Sequence, residues 1–128
     1  MKRPNLTEAE LRLMEVIWAL GRATVAEVAA ALPGDPPLAY NTVLTTMRIL
    51  EDKGFLRHTK AKEGRAFIYR PAVTREAASR SAVRHLLRRF FGDSPRALVV
   101  NLLENEKIDD QEMQRIREAL KRKGGSKK

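Results

Sequence analysis

The 128-residue sequence contains no cysteine, which excludes a disulfide framework, a thiol nucleophile and any thiolate metal site. Aromatic residues make up only 5% of it, few for a protein that would hold single-stranded RNA by base stacking. No apolar run approaches the ~18 residues needed to span a membrane. The opening "MKRPNLTEAE" also lacks the apolar centre of a secretory signal. No serine sits in a nucleophile-elbow pattern, and no glycine-rich phosphate loop surrounds Gly64. The two histidines, His58 and His85, fall in different elements with no carboxylate in helical register. A catalytic centre, a bound metal and a cofactor are therefore not expected, and the chain reads as a soluble, cytoplasmic non-enzyme.

Negative charge is the last deficit. Asp and Glu number 16 against 25 Lys and Arg, a formal charge of +9. A soluble chain this basic commonly meets a polyanion, and nucleic acid is the commonest one.

The helix starts are legible. Thr7 and Glu10 have the spacing of a capping box, flanked by Leu6 and Leu11 as a hydrophobic staple, and Thr24 and Glu27 repeat it. Gly21 marks the end of the first helix. These signals predict helices over about 7–20 and 24–32. "PGDPP" at 33–37 breaks the chain, and a third helix is predicted over 39–53, stopping at Gly54. "FLRHT" and "AFIYR" then enclose a polar turn, the pattern of a β-hairpin. Three short helices followed by a hairpin is the order of a winged helix-turn-helix.

Beyond Pro71 the pattern is purely helical. One stripe carries Ala78, Ala82, Leu86 and Phe90, with Arg80, Arg84 and Arg88 on another face. Ser94-Pro95 opens a further helix that contains Leu98 and Leu102. Asp109 to Glu112 forms an acidic capping box for the last helix, where Met113, Ile116 and Leu120 line one face. These residues are too few for a convincing separate core. Two-fold dimerisation through Ala82, Leu86, Phe90, Leu98, Leu102, Met113, Ile116 and Leu120 is the expected way to cover them, and folding back on the first domain is the alternative. The expected division is a winged-helix domain over 1–73 and a helical dimerisation region over 74–128, with "KRKGGSKK" as a frayed basic tail. Trp18, at helical spacing from Leu11 and Met14, is expected in the core.

The third helix carries three threonines and a valine in its first seven residues, although β-branched residues are weak helix formers. On a wheel, Val43, Met47 and Leu50 share one face. Tyr40 opens the helix; Asn41, Thr42, Thr45 and Arg48 occupy the other face, with Ile49 nearby and Thr46 on the flank. Threonine offers a hydroxyl to a base edge or phosphate and a methyl to thymine, while Arg48 reaches guanine or phosphate. In the hairpin, Lys60, Lys62 and Arg65 surround the turn and suit phosphate or minor-groove contact. The expected partner is double-stranded DNA. A winged-helix module that binds protein without DNA is the alternative.

The stretches "LTEAELRLMEVIWALGRATVAEV", "YNTVLTTMRILEDKGFL", "FIYRP" and "SPRALVVNLLENEKIDDQEMQRIREAL", in this order, resemble the penicillinase-repressor (BlaI/MecI) family of winged-helix transcriptional repressors. The resemblance implies a homodimer that binds a palindromic operator. It also implies release by a sensor protease that cuts after an asparagine in the dimerisation half, which corresponds here to Asn101, followed by Leu102 where the family has phenylalanine. The same two residues also read as ordinary helix positions. Copper-sensing members carry C-terminal cysteine pairs, which this chain lacks.

Overall fold

The computed structural model describes residues 5–34, 36–62, 64 and 66–125. Its elements are α1 (Glu8–Leu20), α2 (Val25–Ala31), α3 (Tyr40–Asp52), β1 (Leu56–Lys60), β2 (Phe67–Pro71), α4 (Arg75–Phe90), α5 (Pro95–Asn105) and α6 (Asp110–Gly125). The chain separates into two compact units, 1–85 and 86–128, and the division falls inside α4.

The first unit holds the buried core. Both capping boxes form: the Thr7 hydroxyl accepts from the Glu10 amide at 3.1 Å and the Glu10 carboxylate accepts from the Thr7 amide at 2.8 Å. Thr24 and Glu27 repeat these contacts at the same distances. Such a cap satisfies two otherwise orphaned amides at each helix start. α1 buries Leu13, Met14 and Ile17, α2 buries Val25 and Val28, and α3 buries Val43, Met47 and Leu50. Phe55, Leu56, Tyr69 and Val73 close the cluster.

What ends α3 positions the hairpin. Gly54 has φ 90°, a conformation that costs glycine little and other residues more. Its N–H reaches the Glu51 carbonyl at 3.0 Å, and the Phe55 N–H reaches the Leu50 carbonyl at 2.9 Å. This pairing is a Schellman motif. It reverses the chain within two residues and drops Phe55 and Leu56 into the core. β1 and β2 then pair antiparallel, with His58 opposite Tyr69 and Lys60 opposite Phe67. A third segment joins them: Ala23 exchanges two backbone hydrogen bonds with Tyr69, at 3.0 and 2.8 Å. The turn between α1 and α2 is thereby fastened to the wing.

Trp18 departs from the expectation of a core residue. It is half-buried at the core margin, beside a Leu11 that is exposed. Its indole N–H donates to the Val73 carbonyl at 2.9 Å, and the Arg75 guanidinium lies 5.1 Å from its ring centroid. Ala77 and Ala78 also pack on the core, so the start of α4 belongs to the first unit's packing.

Among the described residues Glu10 is the buried charged one, and Lys53 meets its carboxylate at 2.7 Å. Burial by itself raises the Glu10 pKa, but hydrogen bonds from Lys53 and Thr7 and the Lys53 charge outweigh it and hold the group below its ordinary range. A folded-state pKa below the unfolded one contributes stability that is present above the unfolded value and lost as pH falls through the folded one. Stability should therefore decline below about pH 4.3, the usual glutamate range. Lys53→Met, which strips the carboxylate of its cation, should cost about 1.5–3 kcal/mol at neutral pH. Urea unfolding of parent and variant across this range checks both.

The second unit contains α5, α6 and the end of α4. Ser94 caps α5 by accepting from the Ala97 amide at 3.0 Å, and Asp109 accepts from the Glu112 amide at 2.8 Å. α6 continues through Gly125, five residues into the stretch expected to be a frayed tail. No helix among the described residues is long and apolar enough to cross a membrane.

Candidate nucleic-acid interface

Val43, Met47 and Leu50 are fully buried, which turns the opposite face of α3 outward. Asn41, Thr42, Thr45 and Arg48 are all exposed on that face. None of these four side chains forms a hydrogen bond or ion pair among the described residues. Tyr40 is exposed at the helix start and Ile49 beside Arg48. Thr46 differs. It is half-buried, and its hydroxyl donates to the Thr42 carbonyl at 2.9 Å. This is the back-bond threonine often makes inside a helix, and it leaves the hydroxyl hydrogen committed. The outward face thus carries short side chains with unspent hydrogen-bonding groups and a guanidinium. Its threonines each sacrifice up to about 0.7 kcal/mol of helix propensity.

At the wing, Lys60 and Lys62 are exposed as expected. Arg65 lies outside the described residues. Two further cations, not singled out by the sequence pattern, stand beside them. Arg22, in the turn fastened to β2, and Arg70, on β2, line an open groove of about 700 Å³ with Lys60, Lys62, Thr24 and Thr59. Arg70 is held in place by donating to the Thr59 hydroxyl at 2.8 Å. The acidic lining residue, Glu27, has its carboxylate engaged by the Thr24 amide. Strand alternation could have aligned Arg70 with Thr59 from the sequence. Nothing in the sequence marks Arg22, which is brought there by the Ala23–Tyr69 pairing.

A carboxylate also reaches His58, contrary to what helical register suggests. Glu51, from α3, brings both carboxylate oxygens to 2.8 Å from His58 Nδ1 and accepts the His58 backbone N–H at 3.2 Å. The contact crosses the Gly54 turn. Tyr69 stands behind it, its phenol pKa raised by burial and by the Glu51 charge, with Arg48 partly offsetting.

In the remaining helices, Ala82 is exposed on the first unit's part of α4. In the second unit Leu86, Phe90, Leu102, Ile116 and Leu120 are exposed, whereas Leu98 and Met113 are half-buried. Phe90 leaves 71% of its surface uncovered. Asn101 and Leu102 lie inside α5, where the Asn101 carbonyl also accepts from the Asn105 side chain at 3.0 Å.

Comparison with known proteins agrees with this architecture. A family model described as penicillinase repressor matches residues 6–122. The penicillinase repressor of Bacillus licheniformis is 30% identical over 127 residues, covering 99% of this chain and 98% of that one. The penicillinase repressor of Staphylococcus aureus is 19% identical over 119 residues, 93% of each chain. Among solved structures, the DNA binding domain of the repressor BlaI aligns at 35% identity with a TM-score of 0.50, covering 60% of this chain and 93% of that domain. With a match of this extent across its length, and a winged-helix fold built by the same segments, the chain belongs to the penicillinase repressor family.

Proposed function

We propose that the chain is a sequence-specific, DNA-binding transcriptional repressor that acts in the cytoplasm as a homodimer on a palindromic operator. The observation that carries this reading is the outward face of α3, where Asn41, Thr42, Thr45 and Arg48 keep their polar groups unpaired beside a cationic wing. A helix with that face can enter the major groove, where each base pair presents a distinct pattern of donors, acceptors and methyl groups. Lys60 and Lys62 then meet the backbone, which fixes register and orientation without reading sequence. The exposed stripe with Leu86 and Phe90, and the face with Ile116 and Leu120, supply the apolar surface for a second copy. Functionally the division follows the two halves expected from the sequence, 1–73 for DNA and 74–128 for assembly.

Release by a protease at Asn101–Leu102 belongs to the same reading. That bond lies within a hydrogen-bonded helix, so α5 has to open locally before a protease can extend it in an active site.

The wing tests the reading against a module that binds only protein. Lys60→Ala and Lys62→Ala should weaken specific and mixed-sequence duplex alike. For each phosphate that the variant no longer neutralises, the slope of log affinity against log salt should become shallower by about 0.9. Titration of the double variant over a salt series checks this, and an unchanged slope means that the wing faces solvent in the complex.

A further inference from the structure

Glu51 stands one turn beyond Arg48 on α3, at a spacing where a carboxylate and a guanidinium ordinarily pair. Here they do not. Both Glu51 oxygens are taken by His58 Nδ1 at 2.8 Å, and Oε2 also accepts the His58 backbone N–H at 3.2 Å. The imidazole is confined in turn, its ring centroid 4.5 Å from that of Phe67 and 5.4 Å from that of Tyr69. Arg48 is left without an ion pair among the described residues.

We infer that His58 is a positioning residue for DNA binding: by holding Glu51 it keeps that carboxylate off Arg48 and leaves the guanidinium available to the duplex. The inference rests on the DNA-binding reading above and adds a regulatory consequence to it. Imidazole is the side chain whose charge ordinarily changes between about pH 5 and 8. The titratable groups around it are Glu51 from α3 and the Tyr69 phenol from β2, which itself senses Glu51, Arg48 and Tyr40. Lys60 follows two residues on along the same face of β1.

Protonated, His58 grips Glu51 through a charge-assisted bond. Neutral, it holds Glu51 less firmly, and the carboxylate competes with the duplex for Arg48. Binding of the duplex is therefore expected to strengthen as pH falls through the range in which imidazole ordinarily changes charge.

The test is binding of a labelled duplex by the full chain at constant salt, between about pH 7.5 and pH 6, a window that spans imidazole titration. One probe is a fragment recovered by genomic selection and the other is sheared duplex of mixed sequence. The parent should gain about five- to tenfold in affinity across the window, the low end of what coupled equilibria usually show. His58→Gln should be flat at the parent's weaker, high-pH value. Glu51→Gln should be flat at the parent's stronger, low-pH value. Loss of fold weakens both variants and cannot imitate these opposite displacements. On the Arg48→Ala background, His58→Gln should have no further effect. The inference is overturned by a His58→Gln profile that keeps the parent's pH dependence, or by Glu51→Gln binding more weakly than the parent at the higher pH. A parent that binds with a flat profile overturns this inference alone. A parent that binds neither probe at either pH overturns the functional reading as well.

Discussion

A chain ended after His85 is expected to remain folded, to become monomeric and to bind its operator about 10²–10⁴-fold more weakly than the full chain. That loss corresponds to about 3–6 kcal/mol. Among the described residues every buried apolar side chain lies at or before Val73, so the chain 1–85 keeps all of them. What truncation removes includes Leu86, Phe90, Ile116 and Leu120, exposed apolar residues of the second unit. A monomer reads one half-site. Two linked readers make the second contact intramolecular, and its effective concentration supplies the affinity. The position of the cut matters. A chain ended after Val73, where the sequence suggests the division, would also lose Arg75 from the Trp18 ring and Ala77 and Ala78 from the core. Part of any weakened binding would then report reduced stability. Sedimentation velocity of the 1–85 chain, with operator binding measured alongside, checks the expectation. A dimeric fragment, or one that binds like the full chain, contradicts it.

Thr45→Ala and Arg48→Ala should each reduce operator affinity by about 1–3 kcal/mol and relax preference at the base pairs they contact. Neither should lower stability appreciably. Both side chains are exposed and without hydrogen bonds among the described residues, and alanine is the better helix former. Thr46→Ala is the informative control, because its hydroxyl already donates to the Thr42 carbonyl. It should cost less than Thr45→Ala. Binding of each variant to the operator and to single-base variants of it, together with thermal unfolding, separates base recognition from folding. Parent-like affinity in both Thr45→Ala and Arg48→Ala would mean that another face of α3 meets the DNA.

Features fixed by neighbouring residues were legible in the sequence. Thr7 with Glu10 and Thr24 with Glu27 close their boxes within four residues, and the 3.6-residue period places Val43, Met47 and Leu50 inward and Arg48 outward. Both signals are local, so no tertiary knowledge was needed. The Glu51–His58 contact was not legible. It depends on the sharp reversal at Gly54, which carries β1 back beside α3; the seven-residue spacing of 51 and 58 is a helical one, but α3 ends at Asp52 and His58 lies on a strand. Arg22 was missed for a similar reason. Its place beside the wing follows from the Ala23–Tyr69 pairing, which joins segments 46 residues apart through backbone bonds alone. Trp18 shows a different limit. Periodicity puts it on the inner side of α1, but its indole N–H needs an acceptor, and a side chain with a polar tip commonly settles where one is available. The Val73 carbonyl supplies it at the margin of the core.

The central claim is that two copies of this chain read two copies of one short duplex sequence. Selection of genomic DNA fragments by the full chain, followed by sequencing of what is retained at rising salt, tests it most directly. The expected result is enrichment of an inverted repeat whose half-sites lie about one helical turn or a multiple apart, with enrichment abolished in Arg48→Ala. Retention of fragments without a shared sequence, or enrichment of a single unrepeated site, would contradict it.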